Sequence, residues 1–228
     1  MSERYLFMIL VFDLDDTLYP EISYVRSGFR QVSIFLNKNF CINEDKAYKE
    51  MCKFLSIHGR GQVFDSILDA NKILSKKNVM KCVSIYRKHD PNIKLYKDAV
   101  DCIARFKTFK KYIITDGNTN VQRNKIKALG LNKEFEQIIP TYQYGLSYSK
   151  PSIACFNMIL EKEKSKPENM VYIGDNPYKD FFNLKKAGIK TIRIKRGHFK
   201  NIKLEDEYEA NYTFKNLNSI TKKLIRNI

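Results

Sequence analysis

The sequence predicts a doubly wound α/β fold, a parallel β-sheet with helices on both faces, into which a helical domain is inserted. Short apolar runs without polar alternation recur along the chain, as is typical of strands buried on both faces. Segments of helical length separate these runs, and such alternation indicates a parallel sheet. Residues 21–90 lack these runs and carry only helical periodicity, which predicts the inserted domain.

The predicted strands cover residues 6–12, 112–115, 170–174 and 190–194, and a last short strand at 212–214 precedes a helix. The predicted helices between them cover residues 120–129, 152–163 and 176–187. Gly130 and Gly188 follow two of these helices, and glycine is the usual residue after a helix C-terminus. These elements form a predicted core domain of residues 1–20 and 91–228, and residues 21–90 form the helical domain.

The chain is basic: 41 Lys and Arg stand against 25 Asp and Glu in 228 residues, a formal net charge of +16. The excess is mostly Lys, spread evenly, and no dense cluster alternates with aromatic residues as a nucleic-acid groove would. We therefore expect a solvated basic surface that attracts an anionic substrate, and no nucleic-acid partner. With 43% hydrophobic residues, 9 Gly and 6 Pro, disordered and fibrous classes are excluded.

The five cysteines are irregularly spaced and form no C-x-x-C pair, which predicts free thiols in a reducing compartment. The apolar run at residues 6–12 is far shorter than the roughly 18 residues of a membrane span. It also lacks the small-residue cleavage site of a signal peptide. We expect a cytoplasmic protein without a membrane partner, and the oligomeric state stays open.

Acidic, hydroxyl and lysine residues follow the predicted strands at their carboxyl ends, where open parallel sheets bind ligands. They are Asp13, Asp15, Asp16 and Thr17; Thr115, Asp116 and Gly117; Lys150 in the run Ser-Lys-Pro-Ser; and Asp175 with Asp180. Carboxylates are ligands that suit Mg²⁺, whereas a hydroxyl, amides and a lysine suit phosphate oxygens. Because the carboxylates would repel a phosphate without a cation, the set predicts a magnesium-dependent phosphoryl-transfer site.

The order of these motifs resembles the haloacid dehalogenase superfamily of hydrolases. The motif D-x-D-x-T at residues 13–17, a strand ending in Thr115, the single Lys150 and G-D-x-x-x-x-D at residues 174–180 follow the family's order. The resemblance covers nearly the whole core, and it implies a Rossmann-like sheet with residues 21–90 as a mobile cap. The stretches ITDGNTNVQRNKIKALGL and GDNPYKDFFNLKKAGIKTIRI are similar to the small-molecule phosphatases of this superfamily.

The resemblance implies the catalytic roles. Asp13 would be the nucleophile that forms an aspartyl-phosphate. Asp15 would be the general acid for the leaving alcohol and then the general base for water. Lys150 would neutralise the nucleophile and the transferred group, and Thr115 would hold phosphoryl oxygens.

The resemblance also implies the binding sets. The Mg²⁺ set comprises the carboxylates of Asp13 and Asp175, the backbone carbonyl of Asp15, and Asp180 as a ligand or as a partner of Lys150. The phosphate set comprises Thr115, amides near Asp116 and Gly117, and Lys150. Structural alternatives stay open for two acids: Asp16 as the cap of the following turn, and Asp180 as a first-turn helix acid.

Within the family, Asp15 favours phosphomonoester hydrolysis, because a departing alcohol needs an acid and a departing halide does not. The expected substrate is a small phosphorylated metabolite, such as a nucleotide or a sugar or acid phosphate. A phosphomutase is the alternative, since the residues do not reveal whether the cap excludes water. A basic nucleic-acid-binding protein on the same core is a third hypothesis.

Specificity is expected to lie in the predicted cap. The stretch SIHGRGQVFD interrupts the helical pattern there, with Gly59 and Gly61 on either side of Arg60. We expect Arg60 or His58 to contact the part of the substrate that does not react, such as a carboxylate or second phosphate. The alternative is a helix-to-helix turn with a solvated arginine.

Overall fold

The structure is a computed structural model that describes residues 8–228. Six parallel strands form its sheet: β1 (Ile9–Phe12), β2 (Lys110–Thr115), β3 (Gln137–Pro140), β4 (Met170–Gly174), β5 (Lys190–Ile194) and β6 (Tyr212–Phe214). Their spatial order is β3-β2-β1-β4-β5-β6, and every pairing is parallel. The predicted doubly wound α/β fold is confirmed. Residues 6 and 7 of the predicted first strand lie outside the described residues.

Nine α-helices occur within residues 8–228. They are α1 (Glu21–Phe40), α2 (Glu44–His58), α3 (Val63–Ala70), α4 (Lys76–Lys88), α5 (Lys97–Arg105), α6 (Thr119–Ala128), α7 (Ala154–Lys162), α8 (Phe182–Lys186) and α9 (Lys222–Asn227). The side chain of Asn118 caps α6 by accepting the backbone N–H of Val121. Across the described range, no helix has the length and apolar character that a membrane crossing requires.

In an open parallel sheet, the ligand-binding crevice lies at the carboxyl ends of the strands, where the strand order reverses. β1 is central, with β2 on one side and β4 on the other. Its last residue, Phe12, pairs with Ile113 and Ile173, so the three strands reach the same edge of the sheet. The chain leaves β1 toward β2 and later returns on the other side as β4, which makes this edge the topological switch point where such sheets bind ligands.

The central strands are apolar along their length because both faces are covered. All four residues of β1 and all five of β4 are buried. On one face, Val11, Ile114 and Tyr172 belong to the same core cluster as Phe156 and Ile159 of α7. Burial of each such side chain contributes about 1.5–3 kcal/mol, so the strand ends that carry the polar residues have rigid support.

Three features of the core differ from the sequence prediction. Strand β3 and helix α5 were not predicted; β3 is only four residues long and ends at Pro140, which gives a weak strand signal. The single helix predicted over residues 176–187 is wrong in its first half, because α8 begins at Phe182. Asn176 accepts the backbone N–H of Tyr178, and Asp180 accepts that of Asn176. Such side-chain bonds compete with helix formation.

The chain divides into two compact units. The core unit comprises the chain up to Glu21 together with Lys94–Ile228, and the helical unit comprises Ile22–Ile93. The structure describes every residue of the helical unit, which contains helices and no strand.

The helical unit has an apolar core of its own. Val32 and Leu36 of α1, Met51 of α2, Leu68 of α3 and Cys82 of α4 are all fully buried within one cluster. The helical periodicity of the sequence therefore corresponds to packing among four helices inside this unit.

Candidate active site

The loop after β1 begins with a buried acid. The backbone N–H of Asp13 donates to the carbonyl of Ile173 on β4 at 2.8 Å, which extends the β1–β4 pairing by one residue. The Asp13 side chain is buried and its Oδ1 accepts a hydrogen bond from Lys150 Nζ at 2.6 Å. A carboxylate without such a partner would be costly at this depth.

Lys150 is the centre of a buried polar network. Its Nζ lies 3.0 Å from Oδ1 of Asp180 and donates to the hydroxyl of Tyr172 at 2.7 Å. That hydroxyl in turn donates to Asp180 at 3.0 Å. Burial alone lowers the pKa of Lys150, but the carboxylates of Asp13 and Asp180 outweigh it and raise this pKa well above its usual value. Lys150 is therefore held as a cation against Asp13.

Asp180 lies against strand β4 because residue 174 is glycine. A Cβ atom at Gly174 would lie 2.5 Å from Oδ2 of Asp180, closer than side chains tolerate. Three roles were predicted for Asp180: metal ligand, partner of Lys150 and first-turn helix acid. Its contacts with Lys150, Tyr172 and the N–H of Asn176 favour that of a partner of Lys150.

Asp13 and Asp175 are two buried acids whose pKa values are raised. Burial is the main cause for both, and it brings the pKa of Asp13 to about 7 and that of Asp175 to about 9. Asp175 is raised further by Asp13 and Asp180, and Lys150 opposes the shift in both. Ionising both acids is unfavourable while no cation is near, because their negative charges repel each other. A divalent cation removes this repulsion, so the pair suits such an ion.

Of the predicted Mg²⁺ set, the carboxylates of Asp13 and Asp175 and the backbone carbonyl of Asp15 are by their chemistry suitable ligands, whereas Asp180 is bound to Lys150. Among residues 8–228, no group of three or more His, Cys, Asp or Glu side chains is placed to hold a metal ion. Mg²⁺ usually keeps several waters and takes substrate phosphate oxygens as further ligands, so it does not require three carboxylates from the protein.

Asp15 has a different environment from Asp13. Its Oδ1 accepts from Lys125 Nζ at 2.7 Å and from the hydroxyl of Tyr19, and its Oδ2 accepts from Lys125 at 3.0 Å and from Gln122 Nε2 at 2.9 Å. Burial raises the pKa of Asp15, but Lys125 and these hydrogen bonds outweigh it and hold the pKa below its usual value. The two predicted catalytic acids therefore differ in the direction of their pKa shifts.

Thr115 lies at the end of β2, beside Asp15. Gln122 lies on the first turns of α6, and its Nε2 is within hydrogen-bond distance of three acceptors: Thr115 Oγ1 at 2.8 Å, Oδ2 of Asp15 and the backbone carbonyl of Asp116. Its two N–H groups are shared among them. Since the hydroxyl of Thr115 accepts from Gln122, its own proton can be donated elsewhere, for example to a phosphoryl oxygen.

The side chain of Asp116 orients the loop after β2. Its Oδ1 accepts from Thr141 Oγ1 at 2.8 Å and from the backbone N–H of Lys150 at 3.1 Å, and its Oδ2 accepts from Lys179 Nζ at 2.8 Å. Burial raises the pKa of Asp116, but Lys150 and Lys179 outweigh it and lower the pKa. Gly117 follows with a φ of +125°, a conformation that favours glycine. The predicted contribution of this loop to phosphate binding is therefore through its amides.

Asp16 has structural contacts. Its two carboxylate oxygens accept the backbone N–H groups of Glu21 at 2.9 Å and His198 at 3.0 Å. A Cβ atom at Gly197 would lie 2.1 Å from Cγ of Asp16, so the close approach requires glycine. These bonds favour the structural alternative for Asp16, in which its side chain caps the turn that follows.

The two predicted specificity residues lie in the helical unit. His58 is the last residue of α2, and its ring contacts Phe54 with 4.6 Å between ring centroids. His58 also lines a cavity of about 210 Å³ within this unit. Arg60 is exposed in the turn between α2 and α3. Their predicted role in substrate recognition stays a prediction.

Sequence reasoning missed several residues of the site. They are Tyr19, Gln122, Lys125, Thr141, Tyr172 and Lys179. Gln122 and Lys125 are spaced three apart on a helix that follows the Thr115 loop, so they share one face of it. That spacing was the available signal for a shared role of the two residues. Because the chain has so many lysines, the spacing alone did not single out Lys125.

Comparison with known proteins supports the motif assignment. A family model described as haloacid dehalogenase-like hydrolase matches residues 10–194. A curated relative, glyceraldehyde 3-phosphate phosphatase of Methanocaldococcus jannaschii, is 29% identical over 228 residues, which cover 96% of this chain and 97% of the relative.

Two solved structures share the fold. The HAD-hydrolase YfnB from Bacillus subtilis bound to magnesium has a TM-score of 0.68 at 19% identity, covering 93% of this chain and 96% of that chain. The 2-haloacid dehalogenase from Pseudomonas syringae pv. Tomato has a TM-score of 0.66 at 18% identity, covering 97% of this chain and 99% of that chain. One solved structure of this fold is a dehalogenase, whereas the curated relative is a phosphatase, so the residues of the site must decide between the two reactions.

Proposed function

The chain belongs to the haloacid dehalogenase-like hydrolases, and we propose that it is a Mg²⁺-dependent phosphatase that hydrolyses a small phosphorylated metabolite through an aspartyl-phosphate. This family membership confirms the resemblance that the sequence motifs indicated. The kinship with a phosphatase of Methanocaldococcus jannaschii over nearly the whole chain supports phosphomonoester hydrolysis.

The observation that carries the proposal is the pair of chemically different acids in the loop after β1. Asp13 is bound to the buried Lys150, and Asp15, two residues later, is bound to Lys125. One acid can act as a nucleophile and the other can transfer protons, as the hydrolysis of an alcohol ester requires. Release of a halide needs no such proton donor, so Asp15 favours a phosphatase over a dehalogenase.

The reaction proceeds in two displacements. A carboxylate oxygen of Asp13 attacks phosphorus, the bond from phosphorus to the leaving oxygen breaks, and protonated Asp15 gives its proton to that oxygen. Asp15 then takes a proton from water, the water oxygen attacks phosphorus, and the bond to Asp13 breaks to release phosphate. Lys150 stays on Asp13 and offsets the negative charge that gathers there.

Mg²⁺, held by the carboxylates of Asp13 and Asp175 and the carbonyl of Asp15, would supply positive charge opposite the phosphoryl oxygens. Thr115 and the amides of the Asp116–Gly117 loop bind the same oxygens. Burial of Asp13 and Asp175 supports this donor set, because both acids carry a raised pKa that a cation would lower.

The substrate class follows from the relative and from the charge of the chain. Glyceraldehyde 3-phosphate, the substrate in the relative's name, is a small sugar phosphate, and other sugar, acid or nucleoside phosphates share its monoester group. The net charge of +16 attracts such anions. In this proposal the helical unit is the cap, and His58 or Arg60 reads the part of the substrate that does not react.

A cytoplasmic setting is part of the same proposal. Cys41, Cys52, Cys82, Cys102 and Cys155 are all free thiols, which suits a reducing compartment.

The direct test is phosphate release from phenyl phosphate and from a panel of metabolites that includes glyceraldehyde 3-phosphate, each with Mg²⁺ and with EDTA. We expect turnover only with Mg²⁺, and a fall of at least about 10⁴-fold for Asp13→Asn. Asp101→Asn, an exposed acid on α5, is the matched control. Turnover in EDTA or an active Asp13→Asn would disprove the proposal.

A phosphomutase of the same family is the alternative. It would convert a sugar phosphate into its isomer, release little phosphate and need a bisphosphate activator. Phosphorus NMR of the same panel distinguishes the two reactions, because inorganic phosphate and an isomeric monoester give separate signals.

A further inference from the structure

We infer that Lys125 is a positioning residue that fixes the orientation of the Asp15 carboxylate for proton transfer, with Tyr19 and Gln122 completing its support. The inference rests on the proposed function, in which Asp15 exchanges protons with the leaving alcohol and with water. Gln122 and Lys125 lie in the stretch that is similar to the small-molecule phosphatases, but the resemblance gave no role to them or to Tyr19.

Lys125 contacts both oxygens of Asp15. Its Nζ lies 2.7 Å from Oδ1 and 3.0 Å from Oδ2, and only 4% of its side chain is exposed. A buried ammonium that bridges both oxygens opposes rotation of the carboxylate about its Cβ–Cγ bond. Lys125 projects from α6, so this restraint comes from a rigid helix.

Tyr19 and Gln122 complete the arrangement. The Tyr19 hydroxyl donates to Oδ1 of Asp15, and Gln122 donates to Oδ2 at 2.9 Å. Each oxygen therefore has two donors, which accounts for the roughly four acceptor positions of a carboxylate. These contacts fix the plane as well as the location of the carboxylate.

The arrangement also relates Asp15 to the phosphate-binding residues. The Gln122 Nε2 that donates to Asp15 also donates to Thr115 Oγ1 at 2.8 Å. Both groups are thus within hydrogen-bond distance of a single nitrogen atom. When one donor yields its place to the leaving oxygen or to water, the remaining donors keep Asp15 beside the Thr115 hydroxyl.

Proton transfer depends steeply on such geometry, since a displacement of about 1 Å can cost roughly 100-fold in rate. Loss of Lys125 should therefore impair the steps in which Asp15 moves a proton, and spare a step that needs no proton. Two aryl esters separate these cases: phenyl phosphate, whose leaving oxygen needs protonation, and 4-nitrophenyl phosphate, whose leaving group departs as a stabilised anion.

The test compares wild type with Lys125→Met on both esters. We expect kcat/KM to fall about 100-fold on phenyl phosphate and to change less than about 3-fold on 4-nitrophenyl phosphate. We also expect kcat to fall on both esters, because water attack on the phosphoenzyme needs Asp15 as a base. The variant should then release a burst of nitrophenolate close to one equivalent per enzyme. Lys127→Met, an exposed residue on the same helix, should match wild type.

Two further variants keep the inference testable if Lys125→Met does not fold. Lys125→Arg keeps a cationic donor and should recover most of the activity on phenyl phosphate. Tyr19→Phe removes one donor and should give the same ester-dependent pattern with a smaller fall.

An equal fall in kcat/KM on both esters, or an unchanged kcat/KM on phenyl phosphate, would overturn the inference. If wild type hydrolyses neither ester, the proposed function fails instead, so the two failures are distinguishable.

Discussion

The core unit and the helical unit differ in what they bury. Near the carboxyl ends of its strands, the core unit contains buried or partly buried acids that pair with buried lysines, such as Asp13 with Lys150 and Asp15 with Lys125. In the helical unit, the buried side chains are apolar except for Ser33 and His89. Buried charge is expensive and is retained where chemistry needs it. The buried charges of the core unit therefore mark its candidate active site, whereas the packing of the helical unit shows mainly how that unit is stabilised.

The largest effect is expected at Lys150. Lys150→Met would leave Asp13 and Asp180 without their shared cation in a buried site. We expect phosphatase activity to fall at least about 1000-fold. We also expect the free energy of unfolding to fall by about 3 kcal/mol.

Steady-state kinetics and urea denaturation measure these two quantities, and Lys195→Met, at an exposed lysine, is the control. Full activity in Lys150→Met would contradict the network as described and would place the essential cation elsewhere.

The next effect is expected at Gly174. In Gly174→Ala the added Cβ would meet Asp180 at 2.5 Å, so Asp180 and, through it, Lys150 must shift. A misplaced Lys150 should cost about 100-fold in kcat on phenyl phosphate. Gly61→Ala is the matched control for stability, because a Cβ there would have no atom within 4 Å. Wild-type kcat in Gly174→Ala would indicate that the position of Asp180 does not matter for turnover.

A smaller effect is expected in the helical unit, and it tests whether that unit contributes to recognition at all. If Arg60 contacts the distal part of a metabolite, Arg60→Ala should lower kcat/KM on that metabolite by about 10-fold. The same variant should leave kcat/KM on phenyl phosphate unchanged, because that ester lacks the distal group. His58→Ala is to be measured beside it. Equal values for wild type and both variants on the best metabolite would remove the two residues from the recognition site.

The smallest effect concerns the stability of the helical unit at low pH. His89 donates from Nδ1 to the carbonyl of Tyr86 at 2.7 Å, while its buried Nε2 has no hydrogen-bond partner within the described residues. Burial lowers the pKa of His89 from its usual 6.5, and the Tyr86 carbonyl and Asp90 only partly oppose the shift. Because the unfolded chain binds this proton more readily, the folded unit should lose stability as the pH falls below about 6.5.

Hydrogen exchange of α1 and α4 between pH 7 and pH 5 measures this loss. In His89→Gln the part of the pH dependence that comes from this group should vanish, and His198→Gln in the core unit is the matched control. An unchanged pH dependence in His89→Gln would exclude His89 as its source.

Much of the core could be predicted from the sequence because a few local patterns suffice. The apolar runs of β1 and β4 have a strong signal, since both faces of these strands are covered. β3 was missed because its four residues end in Pro140 and half of them are only partly buried. The first half of the predicted helix 176–187 was wrong because Asp180 binds the backbone of Asn176 and the ammonium of Lys150. That bond depends on a residue thirty positions away, which local propensity does not reflect.

By itself, the sequence determined the α/β class and the placement of Asp13, Asp15, Thr115 and Asp175 at strand ends, since strand period and motif spacing are local properties. Only the tertiary structure decided which partners those acids have. Lys125 reaches Asp15 across 110 positions of sequence, and Lys150 reaches Asp13 across 137. In a chain with 41 Lys and Arg, each lysine looks alike until packing places one beside a carboxylate. The pKa of each acid then follows from that placement, because burial and a nearby charge act over a few ångströms.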